Sequence, residues 1–229
     1  MRKTIPLLLL AATVLLAAEK TPSPILSWVE APPLAADKGE QRILDVLAQM
    51  AARDGRGDLN ITPDDGRLLR LLAESAGARH VVEIGTSHGY SGLWFTLALR
   101  RTGGRLTTHE IDADRVETAR GNFRQAGVED LVAIVRGDAH ETVANVNEPV
   151  DILFLDGDKD GNMDYLEQLL PRIRPGGLII AHSAANQADR MSDYLQAVTT
   201  NPQLETRFFH MTEHGLAVTL KKRILTAGD

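Results

Sequence analysis

The sequence has no cysteine, which excludes disulfides, thiolate zinc sites and a cysteine nucleophile together. It has no run of Lys and Arg longer than Lys221-Lys222-Arg223, and its formal net charge is −6. An acidic chain without a basic patch is not built to follow nucleic-acid phosphates. No Gly-x-Ser-x-Gly elbow occurs, which removes the obvious hydrolase reading. No internal repeat or low-complexity tract is visible. The one sustained apolar run, Ile5 to Ala18, is shorter than the ~20 residues a spanning helix needs. What is present is 229 residues, 43% hydrophobic and 24% charged. That is the make-up of one folded domain with a sizeable core.

The N-terminus reads separately from the rest. Arg2 and Lys3 precede the apolar run, and Ala17-Ala18 close it. A basic start, a short apolar stretch and small residues at its end describe a secretory signal peptide over residues 1–18. Leu16 stands where a small residue is preferred for cleavage. Export to the periplasm or medium is the expectation, with an uncleaved membrane anchor or a cytoplasmic chain as alternatives, and no stable membrane insertion once the segment is cut. Residues 19–36 carry Pro22, Pro24, Pro32 and Pro33 without a sustained period, and read as a linker or arm. The folded domain is expected over 37–229.

Within that domain Ile43, Leu44, Val46, Leu47 and Met50 recur at helical spacing, and Asp54-Gly55-Arg56-Gly57-Asp58 ends that helix. Thr62 and Pro63 form a cap and first-turn pair that opens a second helix reaching Gly77. Strand patterns at His80–Ile84, Arg105–Glu110, Leu131–Arg136, Val150–Leu155 and Gly177–Ala181 then alternate with helical ones. The helical patterns are Ser91–Arg101, Ala113–Ala126, Glu141–Val146, Met163–Ile173 and Gln187–Thr200. Such alternation predicts a Rossmann-like α/β fold, a mostly parallel sheet with helices on both faces. Glu205–Met211 and Leu216–Lys222, joined by Thr-Glu-His-Gly, predict an antiparallel C-terminal hairpin at its edge.

The first strand runs into Glu83-Ile84-Gly85-Thr86-Ser87-His88-Gly89-Tyr90-Ser91. A strand, a glycine turn and a helix start are how α/β proteins open a nucleotide pocket. A dinucleotide fingerprint needs glycines at 85, 87 and 90, but the last two are Ser87 and Tyr90. E-x-G-x-x-x-G resembles instead the first motif of S-adenosylmethionine-dependent methyltransferases. Glu110 ends the second strand, where a carboxylate can accept both ribose hydroxyls. Asp138 follows the third, where an acid can take the adenine amino group. Acids at strand ends also serve as helix N-caps, and Asp112 is expected to be one.

From about residue 40 to 223 the chain resembles the catechol and caffeoyl-CoA type O-methyltransferases, family 3 of that class. The shared motifs are Glu83-Ile84-Gly85-Thr86 with Gly89-Tyr90-Ser91, and Glu110-Ile111-Asp112. They continue with Gly137-Asp138-Ala139, Phe154-Leu155-Asp156-Gly157-Asp158-Lys159 and Arg174-Pro175-Gly176-Gly177. The resemblance implies S-adenosylmethionine as cofactor, with Glu83, Gly85, Ser91, Glu110, Asp138 and Ala139 lining its pocket. It implies a small hydroxylated acceptor, phenolic or catechol, and leaves a homodimer open. It further implies that Asp156 binds a divalent cation and that Lys159 helps deprotonate the acceptor. The family's other two metal ligands are usually an adjacent Asp-Asn, and here that pair is His182-Ser183. Imidazole with one carboxylate suits zinc, iron or manganese rather than magnesium or calcium. Either a different metal binds Asp156 and His182, or none does and His182 is itself a candidate general base.

A second pattern overlies the same residues. Asp156-x-Asp158-x-Asp160-Gly161 with Glu167 twelfth matches an EF-hand calcium loop, but a strand rather than a helix is expected before it. This sustains an alternative: an exported, non-catalytic protein that keeps the nucleotide fold and binds calcium through Asp156–Glu167. Trp94 and Phe95 are expected to pack a helix on the sheet, while His88 and His140 lie close enough to the cofactor turn to touch ligand.

Overall fold

The protein's computed structural model describes residues 31–54, 61–210 and 212–223. The expected signal peptide, most of the expected arm, and Met211 lie outside the described residues. Two compact units divide after Leu34. The described part of the first, residues 31–34, carries no helix or strand, and the second is the domain described here.

The first two helices are α1 (Lys38–Asp54) and α2 (Pro63–Ser75). Thr62 caps α2 as expected, with its hydroxyl accepting from the Asp65 amide and the Asp65 side chain reciprocating. The strands β1 (His80–Ile84), β2 (Arg105–Glu110), β3 (Val132–Arg136) and β4 (Val150–Leu155) follow. Helix α3 (Tyr90–Thr102) joins β1 to β2, and α4 (Ala113–Ala126) joins β2 to β3. Asp112 caps α4 through the amides of Asp114 and Arg115. After β4 come α5 (Asn162–Leu169), β5 (Ile173–His182), α6 (Ser192–Thr200) and the hairpin β6 (Leu204–Phe209) and β7 (Leu216–Lys221). The sheet order is β3-β2-β1-β4-β5-β7-β6, parallel through β5 and antiparallel at β7 and β6. Among the described residues no helix is long and apolar enough to cross a membrane.

The strands alternate between two cores because successive side chains point to opposite faces. Val81, Ile152, Phe154 and Ile180 join Ile43, Leu69, Leu93 and Phe123 of α1 to α4. Val82, Leu153, Leu155 and Ile179 join Tyr165 of α5 and Tyr194 of α6. Several expected boundaries move. The helix expected to reach Ile173 stops at Leu169, just before Pro171, since proline cannot continue a helix. Strand β5 starts at Ile173 rather than Gly177, because Arg174–Gly177 forms a bulge between the Val150–Ile173 and Ile152–Leu178 pairs. Gly176 supplies the left-handed backbone there, at φ +84°. The pattern at 141–146 becomes two short helical turns, Ala139–Thr142 and Val143–Asn145. The one from Gln187 begins with a 3-10 turn, Ala188–Met191. The first connection on each side of the β1–β4 pair leaves in opposite directions, and the strand ends diverge there into a crevice.

Candidate active site

The C-terminal ends of β1 to β4 wall a cavity of about 390 Å³, within the range of small-ligand sites. Ile84, Gly85 and Ser87 come from the β1 turn, and His109, Glu110 and Ile111 from β2. Gly137, Asp138, Ala139 and His140 follow β3, and Asp156, Gly157 and Asp158 follow β4. Gly85 is held at φ +94°, and a Cβ there would lie 2.8 Å from the Asp156 backbone. The turn is thus glycine for two reasons, its dihedral and the closeness of β4.

The Glu110 carboxylate is fixed by two backbone amides, Ser87 at 2.8 Å and Asp112 at 3.0 Å. Ser87 adopts a left-handed φ of 47°, which for a residue with a Cβ is strained and turns its amide onto Glu110. Its hydroxyl is buried without a hydrogen-bond partner among the described residues. Asp138 caps its short helical turn by accepting from the His140 amide at 2.9 Å. The His140 ring stacks on Tyr165 with centroids 4.5 Å apart and meets the Asp164 carboxylate. Its hydrogen bond to Asp164 raises its pKa, against partial desolvation. Tyr165 donates to Asp158 at 2.6 Å, so the β3 and β4 loops are locked together beside the cavity. Ile111 exposes 68% of its surface at the rim.

Four of the six residues expected around a cofactor, Gly85, Glu110, Asp138 and Ala139, line the cavity. Glu83 and Ser91 do not. Their side chains point to the α3 face of the sheet, where Ser91 donates to Glu83 at 2.5 Å and Thr108 donates at 2.6 Å. Burial pushes the Glu83 carboxyl up to about 7, against the lowering effect of those two hydroxyls. Its role in this geometry is to tie β1, β2 and α3 together behind the turn. The folded state then holds a proton that the unfolded chain releases near 4.5. The contribution of Glu83 to stability is therefore full below about pH 4.5, falls as pH rises toward 7 and levels above it. Over that window the loss is on the order of 3 kcal/mol. Urea unfolding of Glu83→Gln at several pH values should show that slope flattened; an unchanged slope would contradict the assignment.

On the other side of Asp156 lies a buried polar chain. Lys159 Nζ donates to Asp156 Oδ1 at 2.8 Å, and His182 Nδ1 lies 2.9 Å from the same oxygen. Lys159 and His182 are 5% and 6% exposed, and both stand behind Asp156 rather than on the cavity wall. Burial alone would raise the Asp156 carboxyl, but the Lys159 and His182 charges and hydrogen bonds hold it below the ordinary carboxylate range. The three candidate catalytic residues are thus brought into one connected group. His182 Nε2 reaches toward a fourth member that the sequence pattern did not single out, Asp65, at 3.8 Å. The only local trace of it is its spacing of three from Thr62, which says nothing of burial.

The donor set does not suit a divalent cation held by Asp156 and His182. Asp156 Oδ1 already serves an ammonium and an imidazole. Among the described residues no three of His, Asp and Glu converge as ligands. The calcium-loop pattern fails on the same ground. Asp156 is turned to Lys159, Asp158 to Tyr165, and Asp160 is paired with Arg190. A strand, β4, precedes the loop where an EF-hand needs a helix.

Comparison with known proteins identifies the family of the chain. A family model described as O-methyltransferase matches residues 34–199. A relative from Niastella koreensis, catechol O-methyltransferase, is 35% identical over 57% of this chain and 60% of its own length. The O-methyltransferase of Bacillus cereus, solved with SAH, superposes with a TM-score of 0.70 at 27% identity, covering 86% of this chain and 96% of that one. A cofactor-bound protein from MTB, Rv0187, superposes with a TM-score of 0.73 at 26% identity, covering 90% and 100%.

Proposed function

The chain belongs to the O-methyltransferase family, and from that premise we propose that it methylates a hydroxyl of a small acceptor with S-adenosylmethionine as donor. The observation that carries the reading is the position of Asp156. It lines the donor-sized cavity and also anchors the buried Lys159 and His182, so one residue joins a cofactor site to a proton-handling site. The donor fits the residues present. Gly85 lets the β1 turn approach without a Cβ, Glu110 offers a fixed carboxylate to the ribose hydroxyls, and Ser87 has an unpartnered hydroxyl beside it. Asp138 and Ala139 would flank the adenine.

When bound, S-adenosylmethionine supplies an electrophilic methyl: an O–CH3 bond forms as the C–S+ bond breaks, and the electron pair stays on sulfur. The protein's task is the acceptor proton and the approach. A phenol titrates near pH 10 in water, so a neutral-pH reaction needs a group to take that proton. His182, bonded to Asp156, is the group placed to take it, and the Lys159 ammonium on the same oxygen helps by offsetting the charge that develops on the acceptor oxygen. Holding acceptor and donor in line supplies much of the remaining acceleration.

The acceptor class rests on a narrower base. The chain spans 60% of the length of the Niastella koreensis relative, and that relative's name supports a catechol acceptor. The test offers radiolabelled donor to the full chain with 3,4-dihydroxybenzoate, a monophenol and an aliphatic diol. Label is expected in the catechol first and the monophenol second. Transfer confined to the aliphatic diol would refute the phenolic acceptor.

A further inference from the structure

Helix α2 carries a carboxylate into the acceptor side of the site. Asp65 is 1% exposed, although an aspartate is almost never fully buried unless paired. Its Oδ2 accepts from the Thr62 hydroxyl at 2.7 Å and lies 3.8 Å from His182 Nε2. Its Oδ1 and His182 Nε2 are both buried without a hydrogen-bond partner among the described residues. From the hairpin loop, the Thr212 hydroxyl stands 3.5 Å from Asp65 Oδ2, and the His214 ring lies 5.3 Å from that of His182.

The His182 imidazole is therefore flanked at both nitrogens, by Asp156 from the end of β4 and by Asp65 from the start of α2. The two lone-pair directions of an imidazole point away from each other across the ring. No single ion could be bound by His182 together with both carboxylates. A carboxylate behind a histidine fixes its ring orientation and tautomer. The 3.8 Å spacing is a poised contact of the kind that tightens when substrate binds.

We propose that His182, clamped between Asp65 and Asp156, fills with protein atoms the place where the family resemblance led us to expect a divalent cation, and that Asp65 is the residue positioning it. This rests on the methyl-transfer reading. Acceptor activation then proceeds with Lys159 and His182 as the partners of Asp156, without an added metal.

Two measurements that do not need an acceptor test it, and a third uses turnover. Manganese titrated calorimetrically into the full, EDTA-treated chain should give no saturable heat. Micromolar, saturable heat that disappears in His182→Ala would overturn the proposal. The 15N imidazole resonances of His182, assigned by loss in His182→Ala, should shift in Asp65→Asn and stay in place in Thr62→Ala. Unmoved resonances in Asp65→Asn would also overturn it. With a methylatable acceptor, Asp65→Asn should lose roughly tenfold or more in kcat, with donor affinity unchanged. Thr62→Ala, which removes the cap hydroxyl but keeps the carboxylate, should lower Tm and spare kcat. Equal kcat losses in the two variants would make Asp65 merely structural. If wild type methylates nothing, the methyl-transfer reading fails by itself, and the manganese and 15N results still decide this one.

Discussion

Glu110→Ala is expected to leave a folded chain whose affinity for S-adenosylmethionine has dropped about 100-fold or more. The carboxylate ends β2 and faces the cavity, and its oxygens keep lone pairs beyond those used by Ser87 and Asp112. Two charge-assisted hydrogen bonds to ribose hydroxyls would each contribute about 1.5–3 kcal/mol. Losing both exceeds the ~1.4 kcal/mol that corresponds to a tenfold change. A second effect adds to this. Without its acceptor, the strained Ser87 backbone at φ 47° has no reason to hold the turn. Calorimetry of the variant reads the affinity, and circular dichroism checks the fold. Donor affinity within threefold of wild type would remove Glu110 from the site.

Lys159→Met should separate binding from chemistry in the opposite way. The ammonium is directed at Asp156 Oδ1 at 2.8 Å and is absent from the cavity lining, so donor affinity should hold within a few-fold. Turnover should fall by roughly 10²–10³, the usual worth of a positioned donor that offsets developing negative charge. The variant also strips Asp156 of the nearest charge that offsets its burial, so the carboxyl moves up. Stopped or single-turnover methyl transfer measures the first effect. Unchanged turnover would show that Lys159 is only a structural counter-ion to Asp156.

Much of the fold was legible because it is written in local periods. The alternation of Val81, Val82 and Ile84, and of Ile152 through Leu155, assigns each side chain to one of two cores, and glycine and proline punctuate the connections. Caps at Thr62 and Asp112 were readable for the same reason, being decided within four residues. The start of β5 was not, since a bulge at Arg174–Gly177 exists only against the partner strand β4.

The site divides along the same line. Gly85, Glu110 and Asp156 sit at strand ends, so register alone brings them to one cavity. Glu83 and Ser91 belong to the same motif, yet the pleat turns Glu83 away from the cavity and onto Ser91. Spacing in the sequence does not reveal which face a strand-end acid takes. Asp65 was invisible as a site residue because its burial depends on β5 and the 212–214 loop, which are more than a hundred positions away. The EF-hand spacing of Asp156, Asp158 and Asp160 matched a pattern whose acids must converge. Here each is claimed by a different partner.

The account stands on one cavity being a donor site, and titrating S-adenosylmethionine into the full, metal-stripped chain by calorimetry tests that most directly. The arrangement of Gly85, Ser87 and Glu110 predicts saturable binding at one site in the micromolar range, without added magnesium or manganese. No saturable heat under those conditions, or heat that persists undiminished in Glu110→Ala, would contradict it.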